Sequence, residues 1–272
     1  YYSDREDKRL IKSDARKDGD VNSGEIRNRK TVDILWENTM DYNKSFGAHN
    51  LTGLLGFTTQ YTSSDDGQIV GYNSPSDDFT TLNQAAYLDQ LNSYTNKVET
   101  GLISFLGRVN YDYQSKYLFS ASLRTDESSI FGAGNRRGWF PSVSAGWNNS
   151  NETFMQGSKS WLENLKLRAS YGETGNNRIT PFSYLDLLFR SNYVFGEGTG
   201  QVNLGQSPNN PISFGPQITW ETTKSANFGI DLGFLKNRIQ LSVEYYRSVT
   251  DKLLLQQATQ AISGSDSYWN NN

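Results

Sequence analysis

The sequence predicts an all-β chain, an antiparallel up-and-down transmembrane β-barrel represented by about eight strands. Three observations predict it. Long segments alternate apolar and polar residues with a period of two. Aromatic residues reach 13% although the hydrophobic fraction is only 35%, which suits strands that give one face to lipid and the other to water. The connections fall into short ones and long ones that tend to alternate, as they do on the two rims of an outer-membrane barrel.

Residues 1–31 are crowded with charges of both signs and read as a polar loop or strand extension. Val32, Ile34, Trp36, Met40 and Tyr42 then alternate with polar partners. After a turn at 44–49, Leu51, Gly53, Leu55, Phe57 and Tyr61 do the same, giving a first hairpin. Residues 62–99 are rich in Ser, Asp, Gly and Asn and are expected as an extracellular loop. Leu82, Ala85, Ala86 and Leu91 in it are spaced for a short surface helix.

The clearest strands are at 102–126. Ile103, Phe105, Gly107, Val109, Tyr111 and Tyr113 share one face, and Ser104, Leu106, Arg108, Asn110 and Asp112 share the other. A turn at Gln114-Ser115-Lys116 leads to Tyr117, Phe119, Ala121 and Leu123 against Leu118, Ser120, Ser122 and Arg124. Residues 127–138 are expected as a second extracellular loop. Trp139, Pro141, Val143, Ala145 and Trp147 form the next apolar face, and Leu165, Leu167, Ala169 and Tyr171 the one after it. Residues 172–218 are a third expected extracellular loop. Phe228, Ile230 and Leu232, then Ile239, Leu241, Val243 and Tyr245, complete the set around a turn at Lys236-Asn237.

In this order the turns at 44–49, 114–116 and 235–238 are short and fall on one rim. The connection at 148–164, of intermediate length and with anchors Phe154, Met155 and Trp161, is the exception on that rim. Tyr42, Phe46, Tyr111, Tyr113, Tyr117, Trp147 and Phe234 cluster near the same rim, where amphipathic rings favour the level of lipid headgroups.

Composition excludes several chemistries. With no cysteine there is no disulfide, thiolate nucleophile or Cys-ligated zinc. One histidine, His49, cannot build a multi-histidine metal site, and it reads as a solvated turn residue. Asp65-Asp66 and Asp77-Asp78 lack the spacing of a calcium loop. Gly196-Glu-Gly-Thr-Gly200 has no following Lys-Ser/Thr and reads as a loop. A net charge of -3 gives no nucleic-acid footprint. No catalytic residue, metal site or cofactor is expected. The chain opens without Met or a signal pattern and stops soon after Trp269, so both ends read as cuts in a longer protein. A soluble β-sandwich would have more even, closer turns than these.

Three stretches resemble one family. Ser120–Trp147 contains Ser-Leu-Arg-Thr-Asp-Glu-Ser-Ser-Ile-Phe-Gly, then Asn135-Arg136 and Gly138-Trp-Phe-Pro-Ser-Val-Ser-Ala-Gly-Trp147. Trp161–Asn177 reads Trp-Leu-Glu-Asn-Leu-Lys-Leu-Arg-Ala-Ser-Tyr-Gly-Glu-Thr-Gly-Asn-Asn. Trp220-Glu-Thr-Thr-Lys continues through Asn227-Phe-Gly-Ile-Asp-Leu-Gly-Phe-Leu-Lys-Asn-Arg-Ile239 to Asp251-Lys-Leu-Leu-Leu255. Together they resemble the SusC/RagA family of TonB-linked outer-membrane transporters of Bacteroidetes. Glu127 stands where the family has Gly, and Ile130 where a basic residue is common.

The resemblance implies a larger barrel of about 22 strands whose plug domain lies outside this chain. It implies outer-membrane localisation in a Gram-negative bacterium, a SusD-like surface lipoprotein as partner, and TonB engaged through an N-terminal region not present here. It implies active import of oligosaccharides or, as in the RagA branch, of peptides; a truncated, non-transporting surface β-protein is the alternative. The polar residues expected to face the lumen are Arg108, Asp112, Arg124, Lys166, Arg168 and Asp231. The loop aromatics offered as ligand-stacking candidates are Tyr72, Tyr94, Tyr193, Phe195 and Phe214.

Overall fold

A computed structural model describes residues 1–12, 21–79, 81–90, 92–185, 188–195, 201–208, 218–258 and 267–272. Its strands are β1 (Tyr2–Ile11), β2 (Ser23–Phe46), β3 (His49–Tyr72), β4 (Tyr87–Leu88), β5 (Tyr94–Tyr113), β6 (Tyr117–Ser128), β7 (Arg137–Asn148), β8 (Leu162–Asn176), β9 (Leu188–Phe195), β10 (Gln201–Pro208), β11 (Glu221–Phe234), β12 (Ile239–Asp251), β13 (Leu254–Ala258) and β14 (Ser267–Asn271). The main sheet follows the path β1-β2-β3-β5-β6-β7-β8-β11-β12, with β4 added beside β3. Among the described residues this path runs edge to edge and does not close on itself. β9 pairs with β10, and β13 with β14, as separate ribbons.

All eight expected strands are present, and β1 is an additional one. The charged N-terminal stretch is a strand because β1 pairs residue for residue with β2, from Tyr2 opposite Val32 to Ile11 opposite Ser23. Polar side chains do not prevent a ladder of backbone hydrogen bonds. The segment 62–99, expected as a loop, is strand at both ends: β3 runs on to Tyr72 and β5 begins at Tyr94. The expected surface helix is reduced to a single 3-10 turn at Leu82–Gln84. Leu82 sits against Gly24 and Gly71, where added Cβ atoms would lie 2.5 and 3.3 Å from its side chain. Likewise β9 and β10 occupy part of the expected loop 172–218.

The chain forms two compact units. The first comprises residues 1–36 and 60–101, the second residues 37–59 and 102–272. In the first, Asn22 secures the connection after β3. Its Nδ2 donates to the Ser74 carbonyl (3.0 Å) and to Asp77 (2.9 Å), while its Oδ1 accepts from the Ser74 N–H (2.6 Å).

In the second unit, β5, β6, β7, β8, β11 and β12 carry one register that keeps the two faces apart. The row Val109, Ala121, Val143, Tyr171 and Ala226 pairs strand to strand, as does Tyr111, Phe119, Ala145, Ala169, Phe228 and Tyr245. These side chains are mostly exposed, Val109, Phe119, Val143 and Phe228 among them. The opposite face carries Asn110, Ser120, Ser144, Ser170 and Asn227 in one row and Arg108, Ser122, Ser142, Gly172, Ser225 and Ser248 in the next. Because side chains alternate strictly, a one-residue slip at any pairing would mix these faces. The hairpin turn at 114–116 places Gln114 and Ser115 at φ 54° and 53°, left-handed conformations that reverse the chain tightly enough for the Lys116 N–H to donate to the Tyr113 carbonyl (2.9 Å).

Candidate functional site

The polar face is the candidate site. Its hydroxyl and amide groups bond across strands. Ser120 Oγ donates to Asn110 Oδ1 (2.7 Å), Asn110 Nδ2 donates to Thr52 Oγ1 (3.0 Å), and the Ser122 and Ser142 hydroxyls lie 2.7 Å apart. A cavity of about 480 Å³ opens over this floor, lined by Asn110, Ser120, Ser144, Lys166, Arg168 and Asn227 among others.

Arg168 is the most connected residue here. Its Nε donates to Asp231 Oδ2 at 3.1 Å, and its Nη2 reaches Ser242 Oγ at 3.3 Å and the carboxylate of Glu244. Register explains the reach. Gly229 lies between Arg168 on β8 and Glu244 on β12. A Cβ at Gly229 would stand 2.7 Å from the guanidinium, so the missing side chain is the space through which Arg168 crosses β11. Glu244 is therefore a member of the site that alternation alone did not single out.

The remaining expected lumen-facing residues fall on the same face. Arg124 donates to Asp126 (2.8 Å) and to Ser104 Oγ (3.2 Å). Asp112 accepts from the Ser115 N–H (2.7 Å) and so holds the hairpin turn. Lys166 lines the cavity. Arg108 is exposed and makes no ion pair with a described residue. Of the loop aromatics, Tyr72 stacks on Tyr87 (5.4 Å) and Tyr94 donates to Asp66 (3.4 Å). Tyr193 and Phe195 belong to β9 by backbone pairing. Phe214 and the glycine-rich 196–200 lie outside the described residues.

At the end of β6 and β7 away from the 114–116 turn, the three family-like stretches converge on one small core. Phe131, Phe140, Ile179, Ile218 and Trp220 are all buried, Phe131 completely. Phe140 belongs to the polar face by register, opposite Arg124. It fits because Gly138 and Gly175 have no Cβ to meet its ring. The Trp220 indole donates to the Arg136 carbonyl (2.8 Å), and Asn177 donates to the buried Ser128 hydroxyl (3.1 Å). The expected loop 127–138 is thus anchored on this core through Ile130 and Phe131. The two departures from the family pattern are accommodated: Glu127 accepts from Arg137 (2.7 Å), and Ile130 packs on the core.

Along β3, beyond its apolar stretch, Asp66 is held by two arginines. Arg27 binds it with two parallel hydrogen bonds (3.0 and 2.6 Å), and Arg29 adds one at 3.3 Å. The Arg27 contacts outweigh burial and, with Arg29, hold the Asp66 carboxyl down at about 2.

At the rim of short turns, Phe46, His49, Tyr113, Tyr117 and Trp147 form a continuous row of rings with centroids 4.8–6.3 Å apart. His49 is not a solvated turn residue. It opens β3, is half-buried, and its Nδ1 lies 2.7 Å from the Tyr111 hydroxyl. Glu152, in the long connection after β7, accepts from Tyr117 OH (2.8 Å), Lys116 Nζ (3.1 Å) and Trp147 Nε1 (3.2 Å). These donors hold its carboxyl below the usual range, the Tyr117 hydroxyl first.

A wide antiparallel sheet with one exposed apolar face, one hydrogen-bonded polar face and an aromatic row along its short-turn rim is the wall of a membrane β-barrel. The family described as "TonB dependent receptor-like, beta-barrel" matches residues 1–272, and the chain belongs to it. Relatives include TonB-dependent receptor P3 of Formosa agariphila, 38% identical over 88% of this chain and 23% of that protein. TonB-dependent receptor SusC of Bacteroides thetaiotaomicron is 34% identical over 79% of this chain and 21% of its own length. The structure of the RagAB peptide transporter superimposes with a TM-score of 0.80 at 27% identity, over 99% of this chain and 29% of that one. The likeness is thus to the SusC/RagA branch, and the chain spans about a quarter of the length of the curated relatives it matches.

Proposed function

We propose that this chain forms part of the outer-membrane wall of a SusC-like TonB-dependent transporter, and that the protein imports oligosaccharides. The observation that carries the reading is the separation of faces: a floor of Ser, Asn and Arg side chains on one side and an exposed apolar surface on the other. The polar face serves as the wet inner wall, and no catalytic residue is required. A SusD-like lipoprotein and TonB are the proposed partners, in line with the SusC/RagA likeness.

The likeness to the RagAB peptide transporter supports a second reading, in which the cargo is a peptide. Uptake of fluorescent oligosaccharides and oligopeptides by cells with and without the intact gene separates the two. The first reading expects gene-dependent glycan uptake that stops when the proton-motive force is collapsed. Gene-dependent peptide uptake alone supports the second, and unchanged uptake of both contradicts import.

A further inference from the structure

The one long connection on the short-turn rim, 148–164, is not explained by barrel closure, since the other turns there need only a few residues. It is a built segment. It contains 3-10 turns at Asn149–Asn151 and Thr153–Ser158, and Asn148 and Asn151 both donate to the Ser115 carbonyl (2.6 and 2.9 Å). Both of its ends are fastened to the apolar face of the sheet. At the first end, Glu152 binds the polar tips of Tyr117 and Trp147, which belong to the aromatic row on that face. At the second end, Trp161 stacks on Phe234 (6.3 Å, 19°), and its carbonyl accepts from the Leu235 N–H (3.2 Å). The chain between joins two points on the apolar side of the rim, one at Tyr117 and Trp147 and the other at Phe234.

That stretch presents apolar groups to its surroundings. Phe154 is 66% exposed and Trp161 53%, and no residue of Thr153–Ser158 is buried. Lys159 stands exposed beside them. In water such a display would be costly. At the level of lipid headgroups the rings gain an apolar bed, while the backbone and lysine keep polar partners.

We propose that residues 149–161 are an interfacial anchor, lying in the headgroup region of the inner leaflet with Phe154 and Trp161 inserted towards the acyl chains. The occupant of this surface is the bilayer. Continuity with the aromatic row and the exposed apolar face supports lipid, because both fastening points belong to that face. The inference rests on the outer-membrane reading, and its test separates the two.

These 272 residues contain no cysteine, so in a protein with any cysteine elsewhere replaced by serine a single introduced cysteine can carry a bimane fluorophore. Phe154→Cys, Val143→Cys and Lys236→Cys variants of the protein, folded into phosphatidylethanolamine–phosphatidylglycerol vesicles, are exposed to nitroxide lipids and to aqueous iodide. The anchor predicts that the Phe154 label is quenched at least 3-fold more by lipids with a shallow nitroxide than is the Lys236 label, and is shielded from iodide. The Val143 label, on the middle of the apolar face, should be quenched best by deep nitroxides. If Val143 behaves so but Phe154 matches Lys236, the anchor is overturned and the barrel reading stands. If the Val143 label is itself open to iodide in folded protein, the membrane reading fails. A Phe154 label shielded equally in lipid and in detergent, without nitroxide quenching, is covered by protein, which also overturns the anchor.

Discussion

Arg168 reaches Glu244 across two strand spacings because Gly229 stands between them. The glycine is weak strand chemistry, but here it converts a neighbour's side chain into a brace over three strands. Replacing Gly229 with Val should displace the guanidinium from Glu244 and lower the unfolding midpoint in urea. In an Arg168→Ala background the same replacement should cost far less, since the obstructed side chain is gone. Equal losses in both backgrounds would show that the glycine acts otherwise.

Phe140→Ala should cost about 3–5 kcal/mol of stability, the usual range for emptying a buried phenylalanine site. The ring is buried among Phe131, Ile179, Ile218 and Trp220. Gly175→Ala should also destabilise, by forcing the ring aside, and should become milder when combined with Phe140→Ala. Urea unfolding in lipid vesicles measures all three. Unchanged stability of Phe140→Ala would remove this core from the account.

Asp66 should give an acid-labile contribution. Its folded carboxyl titrates at about 2, against about 4 in an unfolded chain. Its stabilisation is therefore fully present above pH 4 and is lost as pH falls through 2. The melting midpoint of wild type should fall more steeply between pH 5 and pH 2 than that of Asp66→Asn. Parallel curves would mean that the Arg27 and Arg29 contacts are not formed.

Adjacent residues on β7 should respond oppositely to charge. Val143→Arg places a guanidinium on the apolar face and should cost about 2–4 kcal/mol near the middle of a bilayer. Ser144→Arg, on the polar face, should fold at near wild-type stability. Similar costs for both would contradict the separation of faces.

Much of the architecture was legible in the sequence because a half-buried strand writes itself in alternation. Val143, Ala145 and Trp147 against Ser142, Ser144 and Gly146 need no further information. Strands polar on both faces write nothing: Thr62-Ser63-Ser64-Asp65-Asp66-Gly67 extends β3, yet it reads as a loop. β1 is hidden for the same reason. The core at Phe131 and Trp220 was illegible because each aromatic is isolated in a polar stretch, and only the fold brings them together. Arg168 and Asp231 were readable as members of the polar face, but the link to Glu244 depends on register through Gly229. His49 was misread because a turn-flanking histidine carries no sign of the rings of Phe46, Tyr111 and Tyr113 that enclose it.

The central claim is that one sheet divides lipid from a wet interior residue by residue. A nitroxide scan from Trp139 to Trp147 in vesicle-embedded protein tests it most directly, by comparing collision with oxygen and with a water-soluble nickel complex. The account predicts a period of two: labels at 139, 141, 143, 145 and 147 favour oxygen, and those at 142, 144 and 146 favour nickel. A scan with no period, or with all labels open to nickel, would contradict it.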